Sequence, residues 1–138
     1  MYELSNTVVM GMVSFEAFRT VDGTPVYLQI INFIKRGAIA GTIRDGDELP
    51  SRRVLSALLG INPNTVQKAF HMLEEEHLME SRTGAKSCMT LPPDTLDALR
   101  REVLSDELRA MARTLRQLGI SREEALRLIE QAWKEEEG

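Results

Sequence analysis

Apolar residues recur at steps of three and four in two successive stretches after residue 24, which predicts two amphipathic helices. Helix one is expected to have Thr24 as its N-cap and Pro25 in its first position, and Gly41 closes it. Ser51 can cap a shorter helix two, which ends at Gly60. In helix one the apolar residues at helical spacing are Val26, Ile30, Phe33, Ile34 and Ala38. The apolar residues of helix two are Val54, Leu55, Leu58 and Leu59.

A third helix begins within the stretch GINPNTVQKAFHML, residues 60–73. Asn62 is a favoured N-cap, and Pro63 occupies the first helical position, where a missing N–H is tolerated. The side that faces the core is expected to hold Val66, Phe70, Leu73 and His77. The opposite side then carries polar groups on its first two turns, namely Asn64, Thr65, Gln67, Lys68 and His71.

The period changes after this helix. Residues 77–81 and 86–91 are short, partly β-prone runs, and the segment RTGA between them places a glycine at the tip of a predicted hairpin. Three helices followed by a hairpin outline a winged helix-turn-helix over residues 25–91. The predicted fold class is therefore mostly α with a small β-hairpin.

The last third of the chain is strongly helical in composition after the break LPPD at residues 91–94. Gly119 separates two amphipathic helices, and Ser121 with Glu124 can form a capping box at the start of the second one. Two helices alone can bury little apolar surface, so residues 92–138 are expected to form a homodimer interface. Its centre is a heptad-like row of apolar residues: Leu104, Leu108, Met111, Leu115 and Leu118.

Length and composition fit a globular protein of 138 residues, with 43% hydrophobic and 28% charged residues. The apolar stretches fall short of the roughly 20 residues that span a bilayer, so no membrane association is expected. The N-terminus lacks the basic start of a secretory signal, and the single Cys88 permits no intramolecular disulfide, which together point to the cytoplasm. Residues 1–24 are an extension of unknown role: an extra strand, a dimer arm and a disordered leader all stay open.

The charge of −4 is unevenly distributed along the chain. Residues 25–91 carry eight basic and seven acidic side chains, a balance of +1, whereas residues 1–24 carry −2 and residues 92–138 carry −3. Four of the seven acids cluster at Glu74, Glu75, Glu76 and Glu80, which leaves several cations free to share another surface. The electrostatic case for a nucleic-acid partner is therefore local and modest.

The polar start of the third helix has the chemistry that the DNA major groove recognises. Asn and Gln can bond bidentately to adenine, Lys can bond to guanine or phosphate, and a threonine methyl can contact a thymine methyl. The alternative is that the asparagines only cap the helix and that Gln67 and Lys68 are ordinary solvent-facing residues.

The stretch LPSRRVLSALLGINPNTVQKAFHMLEEEHLMESRTG, residues 49–84, closely resembles the GntR family of bacterial transcription regulators. The matching features are a leucine-proline-serine-x-arginine start, a short leucine-rich helix that ends in glycine, an asparagine-threonine-valine recognition helix and a glycine-tipped wing. The variant NPNTVQKA, together with a C-terminal part of only two helices, looks like the YtrA-type subfamily.

The resemblance implies a DNA-binding role for several residues. Arg53 matches an arginine that contacts DNA. Arg52 beside it is also expected to contact DNA, although the family often has an acid at its position. The recognition-helix contacts fall on Asn64, Thr65, Gln67 and Lys68. Thr83 and Gly84 match the wing tip that enters the minor groove, with Arg82 beside them. Alternatives stay open, since Gly84 can serve only the turn and Arg82 can pair with Glu80.

These features predict a sequence-specific regulator, a repressor that binds a pseudo-palindromic operator in double-stranded DNA as a homodimer. A helical adaptor that uses residues 95–133 to bind another protein is the alternative. Enzyme motifs are absent from the sequence, and His71, His77 and Cys88 make a poor metal set, so no catalysis, metal or cofactor is expected. The C-terminal segment looks too small to enclose a ligand pocket in one chain, and any effector stays unknown.

Overall fold

A computed structural model of the chain describes residues 11–82 and 86–138. Within them lie five helices and a three-stranded antiparallel sheet, which confirms the predicted fold class. The described residues up to Arg100 form one compact unit, and Arg101–Gly138 form another. The elements in chain order are α1 (Val26–Ala40), β1 (Glu48–Leu49), α2 (Arg52–Leu59), α3 (Pro63–Glu75), β2 (Met79–Arg82), β3 (Lys86–Met89), α4 (Pro93–Gln117) and α5 (Arg122–Glu137).

Helix α3 is the centre of the first unit, and both α1 and α2 pack against it. Its inner side is buried to 1% exposure or less at Val66, Ala69, Phe70 and Leu73. Complete burial of a large apolar side chain contributes about 1.5–3 kcal/mol, so these positions fix the rotation of α3. The buried residues of α1 that complete this core are Ile30, Ile31, Ile34 and Ala38.

Helix α1 begins one residue later than predicted. Pro25 is the N-cap, and no side chain caps the helix, so the prediction that Thr24 would do so is wrong. Gln29 instead links the first turns of α1 to the segment that precedes the helix. Its Nε2 donates to the Thr24 carbonyl at 2.7 Å, and its Oε1 accepts from the Val21 N–H at 2.9 Å. Gly41 closes the helix in the left-handed conformation, as predicted.

Helix α2 buries less than its apolar pattern predicted. Ser51 Oγ accepts from the Val54 N–H at 3.1 Å, which confirms the cap. Leu55 is fully buried, whereas Val54 and Leu58 are 51% and 58% exposed. The helix is rotated so that Ser56, rather than either of them, faces inward, and Ser56 Oγ donates to the Ile61 carbonyl at 2.5 Å.

His77 does not line the core either. Helix α3 ends at Glu75, and His77 lies beyond it, exposed and in the left-handed region with φ of 63°. This conformation is uncommon for a residue other than glycine. It turns the chain so that the Leu78 N–H donates to the Leu73 carbonyl at 3.0 Å and the Leu78 side chain is buried in its place.

The predicted hairpin is present as β2 and β3, and the sheet has the order β1-β3-β2. Strand β1 was not predicted; it pairs Glu48 with Cys88 and Leu49 with Ser87. The chain before α1 continues the pairing, because the Glu48 N–H donates to the Gly11 carbonyl at 2.7 Å and its carbonyl accepts from the Val13 N–H at 2.8 Å.

The described part of the N-terminal extension packs into the first unit. Val13, Phe15 and Phe18 are buried. Phe15 stacks on Phe33 of α1 at a centroid distance of 5.3 Å, and Phe18 meets the same ring edge-on at 5.4 Å. Residues 11–24 thus complete the hydrophobic core; residues 1–10 lie outside the described part of the chain.

The second unit consists of α4 from Arg101 onward and α5. Gly119 has a positive φ of 77° between the two helices, and Ser121 Oγ accepts from the Glu124 N–H at 3.2 Å, as expected for a helix start. The division at residues 24 and 91 stays a prediction. Helix α4 begins at Pro93, and Leu99 in its second turn is buried.

Gly37 gives a test of the packing around α1. A Cβ at this position would lie 2.6 Å from Ile43 Cδ1 and 2.9 Å from Ile43 Cγ1. In a helix interior, alanine is normally more favourable than glycine by about 1 kcal/mol. Here we expect Gly37→Ala to lower the free energy of unfolding by about 1–3 kcal/mol, because the added methyl group overpacks against Ile43.

Ile43→Val removes the Cδ1 atom and should cost about 0.5–1.5 kcal/mol alone. The double variant is expected to lose less free energy of unfolding than the two single variants together, because valine lacks the Cδ1 atom that makes the shorter contact with the new methyl group. Urea unfolding measures all three; additive losses would contradict the packing described here.

Candidate nucleic-acid interface

The N-terminal end of α3 is fixed by its cap. Asn62 Oδ1 accepts from the Asn64 N–H at 2.8 Å, and Pro63 occupies the first helical position, as predicted. A cap of this kind satisfies a backbone N–H that the helix cannot pair internally. The first turn therefore starts at a defined residue, which sets the direction of every side chain that follows.

Four predicted contact residues lie on the first two turns of α3. Asn64, Gln67 and Lys68 are exposed, and Thr65 is half-buried. Val66, which lies between them in sequence, is fully buried. The amide, hydroxyl and ammonium groups therefore project from a helix whose opposite side is buried in the core. A helix packed in this way can present these groups to the edges of base pairs.

Lys68 has a partner that the sequence did not reveal. Its Nζ lies 4.0 Å from the centroid of the Tyr27 ring, in the first turn of α1. Such a cation–π contact is worth about 0.5–1 kcal/mol at an exposed site. Tyr27 thus holds the ammonium group near the start of α1, and no spacing rule within either helix could have shown this pair.

The two adjacent arginines of α2 differ in their surroundings. Arg53 is exposed, as expected of a DNA contact. Arg52 is half-buried: its Nη2 lies 3.7 Å from Glu74 Oε1, and its Cζ lies 5.7 Å from the centroid of the Phe70 ring. Successive helix positions point about 100° apart, so the neighbours face different parts of the molecule.

The hairpin carries the remaining predicted contacts. Arg82 ends β2, and the strand register places it opposite Lys86. Lys86 Nζ lies 3.8 Å from Glu48 Oε2. Thr83 and Gly84 lie outside the described residues, so their predicted place at the wing tip stays a prediction.

The described residues contain no group of three or more His, Cys, Asp or Glu side chains that could hold a metal ion. No helix there is both long and apolar enough to cross a bilayer. His71 Nε2 lies 3.6 Å from Glu75 Oε2 on the exposed side of α3, and Cys88 is buried in β3.

The second unit exposes most of its apolar residues. Leu108 is 61% exposed, and α5 has no buried residue. Two overlapping clefts of about 630 and 750 Å³ lie between α4 and α5. Both clefts are open, since residues that line them are themselves exposed, among them Leu108, Leu126 and Trp133.

A helix with a buried inner side and a polar start, packed beside a second helix and followed by a hairpin, defines a DNA-binding winged helix-turn-helix protein. Residues 26–86 match the model of the family described as bacterial regulatory proteins, gntR family. The chain belongs to the GntR family. The family and the relatives below are transcriptional regulators and not enzymes.

Two curated relatives come from Bacillus subtilis. The HTH-type transcriptional regulator YhcF is 28% identical over 102 residues, which cover 74% of this chain and 84% of that protein. The HTH-type transcriptional repressor YtrA is 44% identical over 61 residues, 44% of this chain and 47% of that protein. The chain thus aligns with about half of the length of YtrA.

Two solved structures extend the similarity to the fold. A GntR family transcriptional regulator from Listeria monocytogenes has a TM-score of 0.75 at 27% identity, with 81% of this chain and 98% of that chain covered. YtrA from Sulfolobus acidocaldarius, a GntR-family transcription factor, has a TM-score of 0.51 at 30% identity, with 66% and 90% covered. The two matches to proteins named YtrA support the predicted YtrA-like type.

Proposed function

We propose that this regulator is a repressor that binds a pseudo-palindromic operator as a homodimer. The observation that carries the proposal is the α3 surface, where exposed Asn64, Gln67 and Lys68 surround a fully buried Val66. Repression is supported by the similarity to the HTH-type transcriptional repressor YtrA of Bacillus subtilis. Because the target is genomic DNA, we place its action in the cytoplasm.

The proposed contacts divide by the groups they reach. Side chains at the start of α3 would read base edges in the major groove, and Arg53 would bind a phosphate beside it. The wing would enter the adjacent minor groove. The proposed contact residues are Arg53, Asn64, Thr65, Gln67, Lys68, Arg82, Thr83 and Gly84. Arg52, which was also expected from the sequence to contact DNA, is not among them, because its guanidinium lies near Glu74 and Phe70.

A second copy of the chain is the proposed partner of the second unit. An isologous interface places the same row of residues from both copies against each other. Apolar surface contributes about 25 cal/mol for each Å² removed from water, and the row leaves a large apolar area uncovered in one copy. The proposed interface residues are 42–71% exposed at Leu104, Leu108, Met111 and Leu118, and half-buried at Leu115.

Two-fold symmetry then determines the form of the operator. The two recognition helices would enter successive major grooves on one side of the duplex, with half-sites about 34 Å apart. A dimer bound across a promoter would exclude the transcription machinery. The open clefts between α4 and α5 would be covered by the second copy, which leaves no need to assign them a ligand.

Binding to DNA from upstream of the chain's own gene tests the proposed function. Fluorescence anisotropy should show an affinity that falls steeply with salt, because phosphate contacts release counterions, with a log–log slope of about −0.9 for each phosphate contacted. Absent or salt-insensitive binding would instead favour the adaptor alternative, in which the helices of the second unit bind another protein.

Two variants separate phosphate contacts from base readout. Arg53→Ala should weaken binding to all sequences and reduce the salt slope by about 1, without a change in melting temperature. Gln67→Ala should change the preference at one base step by about 1–3 kcal/mol. Competition with single-base operator variants measures both effects. Uniform weakening by Gln67→Ala would move Gln67 to the phosphate class, and loss of folding in Arg53→Ala would make Arg53 structural.

Leu108→Glu tests the homodimer. A charge at the centre of the proposed interface should raise the dimer dissociation constant at least tenfold, since burial of an unpaired charge costs well above about 1.4 kcal/mol. Leu58→Glu is the matched control, because Leu58 in α2 is 58% exposed and Leu108 is 61% exposed. Sedimentation equilibrium measures both. Equal effects, or a monomeric parent protein, would exclude this interface.

A further inference from the structure

Glu74 and Glu75 are the last two residues of α3, and Glu76 is its C-cap. Each of the three glutamates has a different environment. Glu75 lies on the exposed side of the helix near His71, and Glu76 Oε1 lies 2.8 Å from Lys35 Nζ of α1. Glu74 is directed to two other elements at once. Its Oε1 lies 3.7 Å from Arg52 Nη2 of α2, and its Oε2 accepts a short hydrogen bond from Ser81 Oγ of β2.

The position of Glu74 needs such partners. A carboxylate at the C-terminal end of a helix is disfavoured by the helix dipole, so nearby cations or donors are required to stabilise it. The Glu74 side chain is only 27% exposed, and the Arg52 side chain is 34% exposed. An ion pair shielded to this degree is screened less than one on the open surface.

Arg52 is held by its surroundings within the protein. Its guanidinium lies over the Phe70 ring, and its Nε is buried with no hydrogen-bond partner among the described residues. A guanidinium placed to bind phosphate would present its donors to solvent. The Arg52 side chain instead extends from α2 towards α3, where it meets the Phe70 ring and the carboxylate of Glu74.

The hairpin is joined to α3 by buried side chains, among them Met79 at 2% exposure, and by one side-chain hydrogen bond. The chain passes from the helix to β2 through His77, whose φ is 63°, and Ser81 is the third residue of β2. The hydrogen bond from Ser81 to Glu74 joins the hairpin to the end of α3 across seven residues. It lies next to Arg82, the last residue of β2.

We propose that Arg52, Glu74 and Ser81 form a clamp that sets the angle between the recognition helix and the wing, and that Arg52 is a positioning residue rather than a DNA contact. This inference rests on the proposed DNA-binding function. It assigns the clamp a role in specificity, because the wing reaches the operator flanks only when α3 and the hairpin keep a fixed relation.

The sign of one charge change tests the clamp. If Arg52 bound phosphate, Glu74 would compete for it, and Glu74→Gln would strengthen DNA binding while Arg52→Ala weakened it. In a clamp both changes weaken binding. Glu75→Gln is the matched control, since it removes an equal charge one residue away and reports the general gain from a less acidic helix end.

Relative to Glu75→Gln, we expect Glu74→Gln to weaken operator binding about threefold to tenfold, and the double variant with Arg52→Ala to be hardly weaker than either single variant. Ser81→Ala, which alters one exposed hydroxyl and leaves the core intact, should reduce discrimination between A·T and G·C flanks while the preference within the half-site stays unchanged. Anisotropy with flank-substituted operators measures these effects.

The outcomes separate the two proposals. Failure of the parent protein to bind DNA would overturn the proposed function and this inference with it. Normal binding by the parent protein, together with Glu74→Gln binding as tightly as Glu75→Gln, would overturn the clamp alone. Additive losses in the double variant, or unchanged flank discrimination in Ser81→Ala, would do the same.

Discussion

The burial of one side of α3 is the constraint on which the rest of the structure depends. Val66, Ala69, Phe70 and Leu73 have 1% exposure or less, so a helix that slipped by one residue would turn this side about 100° into solvent. The cost of exposing four core side chains fixes the rotation of the helix. Its polar residues therefore point outward as a consequence of packing, before any DNA is present.

The same helix separates two tasks along its length. Its thirteen residues extend over about 20 Å, with amide and ammonium groups at the start and Glu74 and Glu75 at the end, followed by Glu76 as the C-cap. The dipole makes the start favourable to phosphate and the end unfavourable to acids. Lys35 lies close to Glu76, and Arg52 lies close to Glu74. These two cations offset part of the negative charge at the C-terminal end of the helix.

Much of the first unit could be predicted from the sequence, because its helices carry strong apolar periods and ordinary caps such as Ser51 and Asn62. Strand β1 could not, since two residues show no alternation. The exposure of Val54 and Leu58 could not be predicted either, because the sequence of a short helix does not show how it is rotated against its neighbours. Arg52 and Arg53 are identical in type and adjacent, so only their tertiary partners, Glu74 and Phe70 for Arg52, distinguish them.

The packing of residues 11–24 separates the segment that identifies the family from the segment that folds. The family match begins at residue 26, yet the Phe33 ring is covered by Phe15 and Phe18, and the backbone of Glu48 is satisfied by Gly11 and Val13. A chain shortened to the matched segment would expose an aromatic surface and an unpaired strand edge, two features that promote aggregation. The segment that matches the family is therefore shorter than the segment that builds the hydrophobic core of the first unit.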